Sequence, residues 1–423
     1  MSLSDPLTLP CGAVLKNRLA KAAMTEGLAD PVNRATPAHA RLYARWAEGG
    51  AGMLLTGNVQ IDRMCLERPG NVAIEGEQDG AAIEGLKAFA AAGTRGGTQL
   101  FMQISHAGRQ TPISVNPEPV APSAVPLRLP GKNFGPPRAL AEAEIEDLVG
   151  RFGYVASIAA ATGFSGVQIH AAHGYLLSEF LSPLVNRRTD RWGGSLENRA
   201  RFLLEAVRSV RAAVGRSFPV AVKLNSADFQ QGGFSNEDCL AVVGMLNEAG
   251  IDLLEISGGT YEQPRMVGGA GIEPVAGTTG AREAYFLDYA AKVREVARMP
   301  LMVTGGFRTR AAMEEALASG ACDVVGLGRP LCVLPDGPKQ LLEGALDALP
   351  AYERTLRIGP GILGPRSPVL LMKALNGWGK QGWFCLQLLR MGAGKDPDLG
   401  LGVLAAFLAY RKNEGAAAAR LAR

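Results

Sequence analysis

Between residues 19 and 345 this chain repeats one unit eight times: a short apolar run, then a longer stretch of helical character. The runs are Leu19–Met24, Met53–Thr56, Thr98–Ile104, Val167–Ile169, Val220–Leu224, Leu253–Ile256, Leu301–Thr304 and Val324–Leu327. Runs this short and this continuously apolar fit strands buried on both faces, as in a parallel sheet. The intervening helices carry start and stop signals. Thr36-Pro37 opens Ala38–Glu48 and Gly49-Gly50 ends it, while acids crowd the first turn of Glu142–Thr162. Further helices are expected at Ile83–Ala92, Ser195–Val214, Glu237–Ala249, Ala284–Ala297 and Ala311–Ser319. Eight alternations point to a (β/α)8 TIM barrel of the α/β class. A doubly wound sheet is the rival, but it uses fewer units and a GxGxxG turn after its first strand, which is missing here.

The flanks add an N-terminal hairpin, Leu7–Leu9 with Ala13–Leu15 around Pro10-Cys11-Gly12, and a C-terminal extension. The expected division is a catalytic barrel over 1–345 and a helical extension over 346–423. In the extension the apolar pieces Val369–Leu375, Trp383–Met391 and Leu399–Tyr410 read as short helices packed on the barrel or on another subunit of a homo-oligomer. Residues 111–140 form a proline-rich loop expected near the active-site mouth. Net charge is +4 without a basic run carrying aromatics, which excludes nucleic acid as the expected partner. Six scattered cysteines with no CxxC pair offer neither a disulfide framework nor a zinc or iron–sulfur site. The start MSLSDPLTLP is unlike a signal peptide, and the longest apolar run is too short to span a bilayer. A cytoplasmic protein without membrane partners is expected.

Barrel enzymes do their chemistry at the C-terminal ends of the strands, and the polar residues of this chain fall there. Thr25, Gln103, His170 and Lys223 close strands one, three, four and five, while Gly305-Gly306 and Gly328-Arg329 follow strands seven and eight. Glycines in those last two loops let backbone N–H groups approach phosphate oxygens, and Arg329 adds a charge-assisted bond. A phosphate-bearing cofactor is expected. His170 and His173 are half of the four histidines in the chain. They read as a metal pair with Glu179, as structural histidines, or as donors that polarise a substrate carbonyl; the last is preferred. Tyr175 can supply a proton, or simply pack. Gln103 suits the edge of a planar heterocycle, or a satisfied core amide. Lys223 can face an anionic ring edge, or form a Schiff base in a lyase or aldolase.

The stretch HAAHGYLLSEFLSPLVNRRTDRWGGSLENR resembles the active-site motif of the old yellow enzyme family of FMN-dependent ene-reductases. Lys16–Leu19 with Ala22–Thr25, the run Gln103–Arg109, Arg282–Phe286, Thr304–Arg308 and Gly326–Leu331 are similar to other family segments, in order, over residues 5–345. The resemblance implies that Ala22, Ala23, Met24, Thr25, Asn58, Gln103, Lys223, Gly305, Gly306, Gly328 and Arg329 hold FMN, with Thr25 near the flavin C4 carbonyl. It implies that His170 and His173 bind the carbonyl of an α,β-unsaturated substrate. Reduced flavin would then deliver hydride to the β-carbon while Tyr175 protonates the α-carbon, and NADH or NADPH would reduce the flavin in the same pocket.

Four departures bear on substrate preference. Lys223 stands where many relatives have arginine, Ser105 replaces an aromatic, Gly27 replaces a tyrosine, and Asn58 replaces a small residue. The His/His pair resembles the bacterial-type branches. Relatives with an iron–sulfur cluster and further nucleotide domains are disfavoured, because no cysteine cluster follows the barrel. Three alternatives stay open: another acceptor such as a quinone, nitro compound or oxygen; a Schiff-base lyase using Lys223; and a non-catalytic ligand binder.

Overall fold

A computed structural model describes residues 1–129, 133–257 and 289–422. Eight parallel strands close on themselves in chain order: β1 (Leu19–Lys21), β2 (Met53–Gln60), β3 (Gln99–Ser105), β4 (Gly166–Ala171), β5 (Val220–Asn225), β6 (Leu253–Ser257), β7 (Leu301–Thr304) and β8 (Val324–Leu327). Pairing of Val325 with Leu19 closes the ring. All eight apolar runs are therefore barrel strands, buried on both faces as their composition requires.

Side chains alternate along each strand, so every second residue points into the barrel. At the N-terminal end those inward residues are apolar. Ala20, Met53, Phe101, Ala221, Leu253, Met302 and Val324 form one cluster with Leu9 and Leu15. Leu15 ends the second strand of the hairpin Leu7–Thr8/Val14–Leu15 and Leu9 follows the first, so the hairpin plugs that end of the barrel. Space there is tight: a Cβ on Gly166 would lie 2.6 Å from the Phe101 ring. Two residues further along the same strands the inward face turns polar, with Gln103, Gln168, Lys223 and Glu255. A closed, dry floor under a polar layer is what makes the C-terminal mouth a site rather than a pore.

Helices α1 (Pro37–Glu48), α2 (Gly80–Gly93), α3 (Glu142–Ala161), α5 (Leu196–Val214), α6 (Asn236–Ala249), α7 (289–296) and α8 (Arg310–Ala318) follow the strands, with a short α4 (Leu176–Leu181) after β4 and α9 (Gly337–Leu342) after β8. Side chains of Ser195, Ser235 and Thr309 accept the backbone N–H three residues on, fixing where α5, α6 and α8 begin. The expected helix Ala284–Ala297 lies partly outside the described residues, as does the whole run Arg282–Phe286. The proline-rich loop is held down by two arginines. Arg109 donates to the carbonyls of Val125 and Pro126, and Arg188 to those of Pro122 and Leu140.

The extension differs from its expected short helices. It forms two long ones, α10 (Leu370–Gly392) and α11 (Val403–Arg420). Glycines between the apolar pieces are crossing points: a Cβ on Gly379 would lie 2.5 Å from Val403 Cγ1, and one on Gly382 would lie 2.9 Å from Tyr410 Cβ. Close approach between the helices outweighs the helix propensity lost at glycine. The pair docks on α1, where Arg41 Nε donates to Gly392 O at 2.8 Å. Its far end returns to the barrel mouth, where Glu414 meets Arg68 at 2.5 Å. No helix among the described residues is long and apolar enough to cross a membrane.

Candidate active site

Three of the residues singled out by the sequence meet on the β4 wall. The ring centroids of His170 and His173 lie 5.2 Å apart, and Tyr175 lies 4.9 Å from His170, each pair edge-on. His173 and Gly174 both take positive φ, +64° and +75°, which turns the chain sharply after β4. A left-handed histidine is strained, and it persists because its surroundings over-determine it. The His173 N–H donates to Asn225 Oδ1 at 3.0 Å, and its carbonyl accepts Gln110 Nε2 at 3.0 Å.

Both imidazoles favour the neutral form. Burial pushes His170 well below the usual histidine range, helped by His173 and Lys223, and burial followed by Lys223 does the same to His173. The Ala172 N–H donates to His170 Nδ1 at 3.3 Å, which puts the ring proton on Nε2. His173 Nε2 meets Ser257 Oγ at 2.7 Å, a partner from the end of β6 that the sequence reading missed. Glu179, the proposed third ligand of a metal pair, instead accepts the Arg109 N–H at 2.9 Å. The described His/Cys/Asp/Glu atoms that do converge belong to Asp62, Cys65 and His106. There His106 Nδ1 accepts the Gly108 N–H, so the ring proton occupies Nε2, 3.6 Å from Asp62.

A buried polar chain crosses the barrel interior. Gln103 Nε2 donates to Gln168 Oε1 at 2.6 Å, Gln168 Nε2 to Glu255 Oε2 at 2.7 Å, and Lys223 Nζ meets Glu255 Oε1 at 3.0 Å. Lys223, expected to face an anionic ring edge or to form a Schiff base, is half of a buried ion pair. Its partner was visible as a single acid inside the apolar run LLEIS, a sign that was not used. In the interior such a carboxylate requires a charged or hydrogen-bonding partner.

Strand one ends at Lys21, so Thr25 lies in the segment beyond it rather than at the strand terminus. Its hydroxyl donates to Glu67 Oε2 at 2.6 Å, and Asn58 Nδ2 donates to the same oxygen at 3.0 Å. Ala22 extends the β1 ladder by donating to Leu327 O, with Ala23 and Met24 between it and Thr25. Beyond β7, Gly305 and Gly306 have φ of +122° and +85°. Beyond β8, a Cβ on Gly328 would reach only Met24 Sδ at 3.9 Å, and half-buried Arg329 opens a helical turn. Backbone that only glycine adopts readily, open space above it and a guanidinium are the donor set a phosphate takes. The Gln103 amide and the Lys223 ammonium suit the edge of a heterocycle. The residues present fit a flavin mononucleotide.

Residues that fit a phosphate and a heterocycle, at the mouth of a TIM barrel beside two imidazoles and a phenol, are the features expected of a flavin-dependent oxidoreductase. A profile of the NADH:flavin oxidoreductase / NADH oxidase family matches residues 2–347, and the chain belongs to that family, the old yellow enzymes. It is an FMN enzyme with NADH or NADPH as reductant. It is 40% identical over 362 residues to the NADH-dependent flavin oxidoreductase iccE of Talaromyces variabilis, covering 81% of this chain and 86% of that one. Identity to the NADPH dehydrogenase of Bacillus pumilus is 30% over 344 residues, covering 81% and 94%. The chain spans about half of iliE from Neonectria sp., with 40% identity over 79% of this chain and 46% of that one. Among solved structures, the old yellow enzyme homologue of Zymomonas mobilis superposes with a TM-score of 0.69 at 29% identity, covering 88% of this chain and all (100%) of that one.

Proposed function

We propose that the chain reduces the activated C=C bond of an α,β-unsaturated carbonyl compound. The observation that carries this reading is the neutral His170/His173 pair beside Tyr175 on one wall. A neutral imidazole with its proton on Nε2 is a hydrogen-bond donor that does not give its proton away. His170 is therefore suited to hold a carbonyl oxygen while negative charge builds on it. His173, turned into the pocket by its left-handed backbone, is the second group on that oxygen. That leaves Tyr175 as the acid for the α-carbon.

The residues that would hold FMN are Ala22–Thr25, Asn58, Gln103, Lys223, Gly305, Gly306, Gly328 and Arg329. When bound and reduced by NADH or NADPH, FMN supplies the hydride for the β-carbon. The Lys223–Glu255 pair, joined through Gln168 to Gln103, keeps a cation and an amide at fixed positions on the barrel axis. It weighs against the Schiff-base lyase, because a nucleophilic amine needs a free lone pair and this one is tied to a carboxylate.

The test is a two-step anaerobic titration of the purified protein. NAD(P)H should bleach the flavin spectrum and 2-cyclohexenone should restore it. Bleaching without recovery on the enone would reject C=C reduction and direct attention to quinone, nitro or oxygen acceptors. In Tyr175→Phe the first step should run near the wild-type rate while the second slows; equal losses in both would reject Tyr175 as the acid.

A further inference from the structure

A hydroxyl has one proton to donate. Thr25 gives its proton to Glu67 Oε2 at 2.6 Å, and Asn58 gives an amide proton to the same oxygen at 3.0 Å. An oxygen that takes two donors is an acceptor, so the direction of the Thr25 bond is fixed: toward Glu67, away from anything else beside it. The arrangement is braced from behind. Arg68 Nη1 donates to the Thr25 carbonyl at 3.3 Å, and the Arg68 guanidinium is paired with Glu414 and lies 5.3 Å from the Tyr410 ring centroid. A Cβ on Gly27 would strike that guanidinium at 2.6 Å, so the glycine at 27 makes room for the brace. Glu67 was not singled out by the sequence, because it lies in an irregular loop with no periodicity to mark it.

We propose that Glu67 lowers the electron affinity of the bound flavin, acting through Thr25 and by its own charge. The inference rests on the placement of the flavin C4 edge against Thr25 that the proposed function uses. Reduction adds negative charge to the pyrimidine half of a flavin. A threonine that donates to the C4 carbonyl would stabilise that charge. Here the proton is already committed, and the group that holds it is a carboxylate, whose field opposes the added charge across a part-buried contact. Glu67 is a tuning and positioning residue; it need not touch substrate.

The measurement is the two-electron midpoint potential of the FMN-loaded protein, by spectroelectrochemical titration, for wild type, Glu67→Gln, Glu67→Ala and Thr25→Val. Glu67→Gln removes the charge and should raise the reduced-to-oxidised ratio at fixed ambient potential about tenfold, roughly 30 mV for a two-electron couple. Glu67→Ala should raise it further, since the Thr25 proton is also released, and that extra step should vanish in Glu67→Ala/Thr25→Val. If Thr25→Val shifts the potential and both Glu67 variants match wild type, the role of Glu67 is overturned while the flavin placement stands. If Thr25→Val leaves the potential unchanged as well, the placement itself is wrong and the inference falls with it. Melting temperatures of the five loaded proteins separate a purely structural role, which would lower stability without moving the potential.

Discussion

Two walls at the barrel mouth are built by different means. The β4 wall takes His170, His173 and Tyr175 from six consecutive residues, and a turn at His173-Gly174 aims them. The wall beyond β1 and β2 is assembled from Thr25, Asn58, Glu67, Arg68 and Glu414, residues that meet only because the barrel closes and α11 folds back onto its mouth. A wall made locally keeps its shape as long as its turn does. A wall made of long-range polar contacts can be altered from far away, and its groups can be retuned without touching the reacting atoms. In the proposed reading, chemistry belongs to the first wall and adjustment to the second.

The largest expected effect tests the β4 wall. Tyr175→Phe should slow the alkene half-reaction by about 10²–10⁴-fold, the usual contribution of a positioned general acid. Replacing His170 and His173 by alanine should weaken phenol-type ligands that mimic the enolate; unchanged affinity in a binding titration would end the carbonyl-clamp role. Next comes the polar chain beneath both walls. Lys223→Met strands the buried Glu255 carboxylate and should cost roughly 3–5 kcal/mol by chemical denaturation. The double variant Lys223→Met/Glu255→Leu should recover much of that loss, and no recovery would mean that packing rather than charge was lost.

The β1 wall should also respond to pH. Lys21, at the end of β1, is fully buried, its Nζ donating to Leu55 O at 2.6 Å and Tyr43 Oη at 3.0 Å, with Tyr43 in turn bonded to Glu26. Burial pushes this ammonium from 10.5 down to about 8, against the pull of Glu26. The unfolded chain therefore binds a proton more readily between those two values. The cost of burying the charge is complete below pH 8 and disappears as pH rises through 10.5, a change on the order of 3 kcal/mol. Stability of wild type relative to Lys21→Met should rise across that window. A flat difference between pH 7 and 11 would show that the amine is not the titrating group. The smallest effect expected is Glu414→Gln, which weakens the half-buried brace on Arg68 by about 1 kcal/mol. It should lower the melting temperature by a few degrees at most and leave Tyr175 chemistry intact.

The sequence made the barrel legible because a strand buried on both faces leaves an unbroken apolar run, and eight of them in alternation with helices admit few arrangements. It also exposed the β4 wall, since rare residues crowded into one turn stand out against a low background. It did not show that Lys223 is paired, that His173 leans on Ser257, or that Thr25 gives its proton to Glu67. Each of those partners comes from a different strand or loop, and sequence spacing carries no information about which side chains alternate inward at the same height of a closed barrel. The extension was misjudged for a related reason: Gly379 and Gly382 break helical periodicity in one dimension, yet in three they are where α10 and α11 cross. Unbroken apolar runs along one chain marked the eight buried strands; closure of the barrel and the return of α11 decided which of their side chains meet.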